Sequence, residues 1–139
     1  MFFASDNASG TAPEIMAAVA ACNAGYAPSY GTDPIMERVL SKLRDIFEAP
    51  AAVVYLVATG TAANVLSLSV LTDPWGAIYC HRNAHIEEDE CGAPEFYTGG
   101  AKLRLVGGDH AKMTPDALRA AIETTGHGSV STSGGVCQC

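Results

Sequence analysis

Positive charge is scarce in this sequence, and the little there is lies scattered. Eight Lys and Arg stand against fifteen Asp and Glu over 139 residues, for a formal net charge of −7, and no basic cluster occurs. Such a surface argues against nucleic acid and anionic membranes as partners. The N-terminus lacks a basic region ahead of an apolar run, so no signal peptide is expected. No apolar stretch is long enough to span a bilayer. Metal spacing is missing too: five cysteines form no ligand pattern, and Cys137-x-Cys139 is too little for a zinc site, so no metal is expected. Cys22, Cys80 and Cys91 stand singly and read as small buried hydrophobes. A cytoplasmic setting fits these features. Also absent are a His pair at metal spacing, a Ser or Cys nucleophile motif with a partner base, a Gly-Lys-Ser/Thr phosphate loop and a Gly-x-Gly-x-x-Gly fingerprint.

What is present is enough for one modest packed core. Hydrophobic residues make up 48% of the chain and charged ones 17%, which points to a globular piece of one domain. Helices are predicted from Pro13 to about Cys22, with Thr11 as a cap, and from Pro34 to Phe47, with an apolar stripe at Ile35, Val39, Leu43, Ile46 and Phe47. Ala51–Val57 reads as a central strand, and Gly60–Leu71 as a helix that is apolar on most sides and packs Leu66 and Leu68 inward. Ala77–Cys80 reads as a short strand, followed by a loop at His81–Asn83 and a helical turn or two over Ala84–Cys91. Lys102–Val106 alternates as a strand, and Thr114 caps a last helix, Pro115–Thr124. Strand and helix alternate from 51 to 124, the signature of an α/β fold with a mostly parallel sheet. Gly126–Cys139, rich in Gly, Ser, Thr and Cys, reads as an irregular tail.

The chain is organised around the stretch from Thr59 to His85. Thr59-Gly60-Thr61 joins a buried-strand pattern to a helical one, and a helix N-terminus there offers unpaired N–H groups and partial positive charge. With two hydroxyls beside it, the joint is a candidate phosphate seat. His85 follows 24 residues after Thr61, ahead of the acidic run Glu87–Glu90. By the rule that ligands gather at the carboxyl ends of parallel strands, His85 is expected near the start of the Gly60 helix.

Each candidate has a plainer interpretation. Thr59–Thr61 is also what an ordinary capped helix start looks like. A helix-start histidine bonded to backbone would account for His85, and a solvated helix face for Glu87–Glu90. Tyr30-Gly31-Thr32-Asp33 is also compatible with a turn carrying an aromatic plug, and Ser5-Asp6 with a cap. His81, His110 and His127 fall in loops without ligand patterns.

Taken in order, Phe3-Ala4-Ser5-Asp6-Asn7, Pro13-Glu14-Ile15, Ser29-Tyr30-Gly31-Thr32-Asp33, Thr59-Gly60-Thr61-Ala62-Ala63-Asn64, Ala84-His85-Ile86 and Glu90 ahead of Gly92 resemble the N-terminal part of the threonine aldolase and β-eliminating lyase family. Members of that family are pyridoxal-phosphate enzymes of the aspartate-aminotransferase fold type. The resemblance implies that 1–125 is a partial large domain of fold type I, an incomplete, mostly parallel sheet flanked by helices. It implies that Gly60 and Thr61 hold the cofactor phosphate, and that His85 stacks on the pyridine ring and serves as the catalytic histidine. Ser5, Tyr30 and Asp33 then bind the amino acid substrate, and Glu90 supports the histidine. The implied reaction is retro-aldol cleavage of a β-hydroxy-α-amino acid to glycine and an aldehyde, in a homo-oligomeric enzyme.

The family's Schiff-base lysine, its ring-nitrogen aspartate and its substrate arginines lie beyond the stretch matched, and Lys42, Lys102 and Lys112 fit no part of the lysine motif. The resemblance therefore implies an inactive fragment whose own oligomerisation is open. Read two nucleotides further on, one codon choice for Ser131–Cys139 encodes His-Val-Arg-Arg-Gly-Val-Ser-Val, close to the family's continuation, which points to a frameshift near Val130 and an out-of-frame tail at 126–139. Two other function classes stay open: a non-catalytic interaction fragment that associates with an intact subunit, and a phosphate-binding module for some other ligand.

Overall fold

The computed structural model describes residues 8–125 and, through the backbone, 134–136. They divide into two units, Met1–Val54 and Tyr55–Cys139. The one modest core expected from composition lies in the second: every described buried apolar residue, from Val65 to Val106, belongs to it.

The first unit is built on two helices, each opened by a proline. Helix α1 spans Pro13–Cys22; its cap is the Ala12 backbone rather than the Thr11 side chain, with the Ala12 carbonyl accepting from Ile15 and Met16 N–H at 3.0 and 3.1 Å. Helix α2 spans Pro34–Ile46 and is capped by Asp33, whose Oδ1 accepts from Ile35 N–H (2.9 Å) and Met36 N–H (3.0 Å). Pro34 sits at the first helical position, where its missing N–H is not needed. The expected stripe lies along α2, but little covers it: Ile35, Val39, Ile46 and Phe47 are exposed and Leu43 is half-buried.

In the second unit a three-stranded sheet has the order β2-β1-β3. Strand β1 (Ala77–His81) is central and buried from Ile78 to His81. It pairs in parallel with β2 (Lys102–Val106), Ala77 opposite Lys102 and His81 opposite Val106. On its other side it pairs in parallel with β3 (Gly134–Val136). A strand flanked on both sides and covered on both faces has no solvent side, which is why its sequence shows no alternation. The expected irregular tail is corrected to this extent: Gly134–Val136 is a strand, and the rest of 126–139 lies outside the described residues.

Helix α3 (Gly60–Leu71) contributes Val65 and Leu68 to the core, and Leu68 clusters with Ile78, Cys80, Ala84, Ile86, Ala101 and Leu103. Leu66, expected inward, is 49% exposed, with Val70 and Leu71 outside as well. Only one face of α3 is covered, so three-residue spacing selects 65 and 68 and turns 66 away. The strand expected at Ala51–Val57 does not form. Residues 52–57 have no ladder partner among the described residues, and Val53, Tyr55 and Leu56 stay exposed; a β-prone run without a neighbour to pair with remains irregular.

Two short helices follow β1: α4 (His85–Glu88) and α5 (Ala93–Tyr97), the latter not anticipated and packed against α3. After β2 comes a 3-10 turn at Asp109–Ala111. Helix α6 (Pro115–Thr125) then packs on β2, with Thr114 Oγ1 accepting from Ala117 N–H at 3.2 Å. Of the cysteines expected to be buried, Cys80 is; Cys22 and Cys91 are exposed.

Candidate functional site

The loop into α3 puts Thr59 in extended backbone and its hydroxyl back over the first turn, where Oγ1 accepts from Ala62 N–H at 3.1 Å. The Thr59 carbonyl accepts from Ala63 N–H at 3.2 Å. Thr59 is thus the cap, and the N–H groups of Gly60 and Thr61 are left without a partner among the described residues. Among the described residues, a Cβ placed on Gly60 would meet no protein atom within 4 Å. Nothing in the fold demands glycine there, so the space above the first turn is open to an approaching group. Two bare N–H groups at the positive end of a 12-residue helix make that space favourable for an anion.

His85 opens α4 where the chain leaves β1. Ala84 and Ile86 on either side of it are buried (8% and 0% exposed), which fixes the backbone while the imidazole stays about half accessible. Its Nδ1 lies 3.0 Å from Glu90 Oε1. An ionised carboxylate only accepts, so Nδ1 carries a hydrogen, and in the neutral ring Nε2 then keeps its lone pair. That bond lies in the ring plane and occupies neither face of the imidazole. Glu87, Glu88 and Asp89 are solvated as a charged run should be, but Glu90 is not: its side chain is fully buried. Positive φ at Cys91 (52°) and Gly92 (76°) turns the chain there and leads it into α5.

Sequence reasoning missed Asn64. Its Nδ2 donates to the same Glu90 Oε1 at 2.8 Å, across 26 residues of chain. Asn64 stands on α3 one turn after Gly60, so Asn64, Glu90 and His85 form a chain of hydrogen bonds from the start of α3 to the imidazole. The expectation that His85 lies near the N-terminal end of α3 is met through this connection. The signal was present only as an Asn within Thr59–Asn64, with nothing local to name its partner.

His81, expected in a loop, closes β1 and is buried at 5% exposure. Its Nδ1 accepts from Asn83 N–H (3.0 Å) and its Nε2 donates to the Gly108 carbonyl (2.9 Å). Both bonds are to backbone, so His81 is the opposite tautomer to His85 and ties the ends of β1 and β2 together. Among the other candidates, Tyr30 and Asp33 belong to the first unit. Tyr30 is fully exposed at φ 63°, which rules out an aromatic plug, and Asp33 uses Oδ1 as the α2 cap. Ser5 lies outside the described residues. Among the described residues no group of three or more His, Cys, Asp or Glu could hold a metal ion, and no helix is long and apolar enough to cross a membrane.

Parallel strands with helices between them, and an anion-ready helix start beside a tethered histidine, define a mixed α/β chain with the fold of the fold type I pyridoxal-phosphate enzymes. The fold is matched by a solved structure of Leishmania major threonine aldolase with TM-score 0.78 and 23% identity, over 90% of this chain and 36% of that one. The chain belongs to the beta-eliminating lyase family, whose sequence profile matches residues 3–133. It is 43% identical over 117 residues to the low specificity L-threonine aldolase of Pseudomonas aeruginosa, and 42% identical to that of another Pseudomonas strain. The match covers 84% of this chain and 34% of each relative, so the chain spans about a third of their length.

Proposed function

We propose that these residues form the phosphate seat and ring-stacking face of a pyridoxal-phosphate-dependent aldehyde-lyase of the threonine aldolase type. Its substrate would be a β-hydroxy-α-amino acid, cleaved to glycine and an aldehyde. The single observation that carries this reading is the Asn64–Glu90–His85 connection, which brings a half-exposed imidazole, held by its Nδ1 edge, to the helix whose Gly60 and Thr61 N–H groups have no partner among the described residues. The residues present fit the cofactor: open space over Gly60 admits a phosphate, and a half-exposed ring held by one edge admits a flat partner.

In this reading Gly60 and Thr61 bind the phosphate by backbone N–H and hydroxyl, while Thr59 keeps the helix start rigid. His85 sets the plane of the cofactor ring and keeps a proton-accepting Nε2 available at the site, while Glu90 holds its Nδ1 proton. Pyridoxal phosphate supplies the electron sink for breaking a carbon–carbon bond next to an amino group. Ser5, Tyr30 and Asp33 are assigned to substrate binding on the family resemblance alone; for Asp33, Oδ2 is the oxygen not engaged by the cap. Homo-oligomeric assembly and a cytoplasmic setting belong to the same proposal, the latter supported by the free thiols of Cys22 and Cys91.

The lysines of these 139 residues are Lys42 on α2, Lys102 at the start of β2 and Lys112 after the 3-10 turn. On the family resemblance none of them is the Schiff-base lysine, so the 139 residues alone should position a cofactor without turning over threonine. The test is glycine release from threonine with excess pyridoxal phosphate, for this chain and for a chimaera that continues it with the part of the Pseudomonas aeruginosa relative it does not cover. Activity in the extended chain only is the expected result. Turnover by the 139 residues alone would overturn the assignment of roles, and an extended chain that folds, binds cofactor and is dead would overturn the aldolase reading.

A further inference from the structure

We infer that Asn64 is the positioning residue of the site: its amide orients the Glu90 carboxylate and so holds His85 in the Nδ1–H tautomer. This rests on the proposed role of His85, but the geometry behind it does not depend on any cofactor. Glu90 is fully buried, and among the described residues its Oε2 has no hydrogen-bond partner while Oε1 takes hydrogen bonds from both Asn64 and His85. With no donor on its other oxygen, the plane of the carboxylate is set by the two donors that share Oε1. Of its two donors, His85 is about half exposed and stands on a four-residue helix, whereas Asn64 is set in the second turn of α3, next to the buried Val65. The firmer donor orients the carboxylate, and the carboxylate orients the ring. Asn64 therefore couples the turn bearing the Gly60 and Thr61 N–H groups to the tautomer of the histidine.

The chain has four histidines, few enough for nitrogen NMR of every imidazole. In the unaltered chain His85 should show one N–H nitrogen, Nδ1, and an amide-to-ring proton contact with the Asn64 side chain. His81 should show the opposite pattern, hydrogen on Nε2, because both of its partners are backbone groups. His81 thus reports an intact fold in the same spectrum. Asn64→Leu keeps the volume but removes the donor, and the preference of His85 for Nδ1–H should fall by roughly tenfold, the scale of one charge-assisted hydrogen bond. Glu90→Gln keeps an acceptor oxygen for both donors and should leave the tautomer in place.

A fixed Nδ1–H on His85 in Asn64→Leu, with His81 unchanged, would overturn the inference. So would an unaltered chain in which His85 averages between tautomers or the Asn64 amide makes no contact with its ring. This last measurement needs no variant and decides the matter if Asn64→Leu does not fold. Loss of cofactor binding alongside an intact Asn64–His85 contact would count against the proposed function and leave this inference standing.

Discussion

Two glycines separate what the fold needs from what the proposed ligand needs. Gly60 has ordinary helical backbone and open space where a Cβ would go, so Gly60→Ala should leave stability within about 0.5 kcal/mol. If the phosphate sits there, the added methyl group meets it, and pyridoxal-phosphate affinity should fall about tenfold, or roughly 1.4 kcal/mol. Unchanged affinity, read by fluorescence titration, would remove Gly60 from the seat. Gly108 is the reverse case. A Cβ there would lie 1.8 Å from the Lys112 carbonyl oxygen, so Gly108→Ala must shift the loop that accepts the His81 bond. A loss of about 1–3 kcal/mol by denaturant unfolding is expected. At this scale the sequence was partly legible. Gly60, Thr61 and His85 stood out because helix starts and lone histidines carry their chemistry locally. Glu90 could be separated from Glu87, Glu88 and Asp89 only by the family resemblance, because burial depends on the turn through Cys91 and Gly92 that hides it.

Helix starts were the most legible elements, since proline and capping side chains mark them within a few residues. Pro13, Pro34, Gly60 and Pro115 each begin the helix expected of them. Strand 51–57 was not legible, because an apolar run states what it would bury and not whether a neighbouring strand is there to pair with it. Helix α5 was missed for a related reason: Gly92 and Pro94 look like loop punctuation until the left-handed Gly92 is seen to launch a helix. The caps allow a test of roles. Thr59→Ala removes the bond to Ala62 N–H and should cost about 1 kcal/mol of stability. For Asp33, replacement by Asn retains an oxygen that can accept from Ile35 and Met36 N–H, so α2 should be affected by a few tenths of a kcal/mol. A larger loss in urea titration would mean that the Asp33 charge, beyond its cap, holds the first unit together.

For the molecule as a whole, the balance between covered and uncovered apolar surface sets how the chain behaves in solution. The described core is small and is confined to the second unit, while α3 turns Leu66 (49% exposed), Val70 (85%) and Leu71 (65%) outward. With Tyr55, Val57, Ala63 and Ser67 these residues line an open apolar groove of about 590 Å³. Contiguous apolar surface of this kind drives association once it is left in water. The net charge of −7 opposes that association only at low ionic strength, because salt screens it over about 10 Å at 0.1 M. The 139-residue chain should therefore bind an apolar fluorescent dye and self-associate as concentration rises, more strongly in salt. Val70→Glu tests the cause. Val70 is so exposed that the change should shift stability by no more than about 0.5 kcal/mol, yet it places a charge in the groove wall and should reduce both dye binding and light scattering. A chain that stays monomeric at high concentration in salt would show that this face is not what governs its association. Scattering that Val70→Glu leaves unchanged, with the fold intact, would shift the cause to the uncovered stripe of α2.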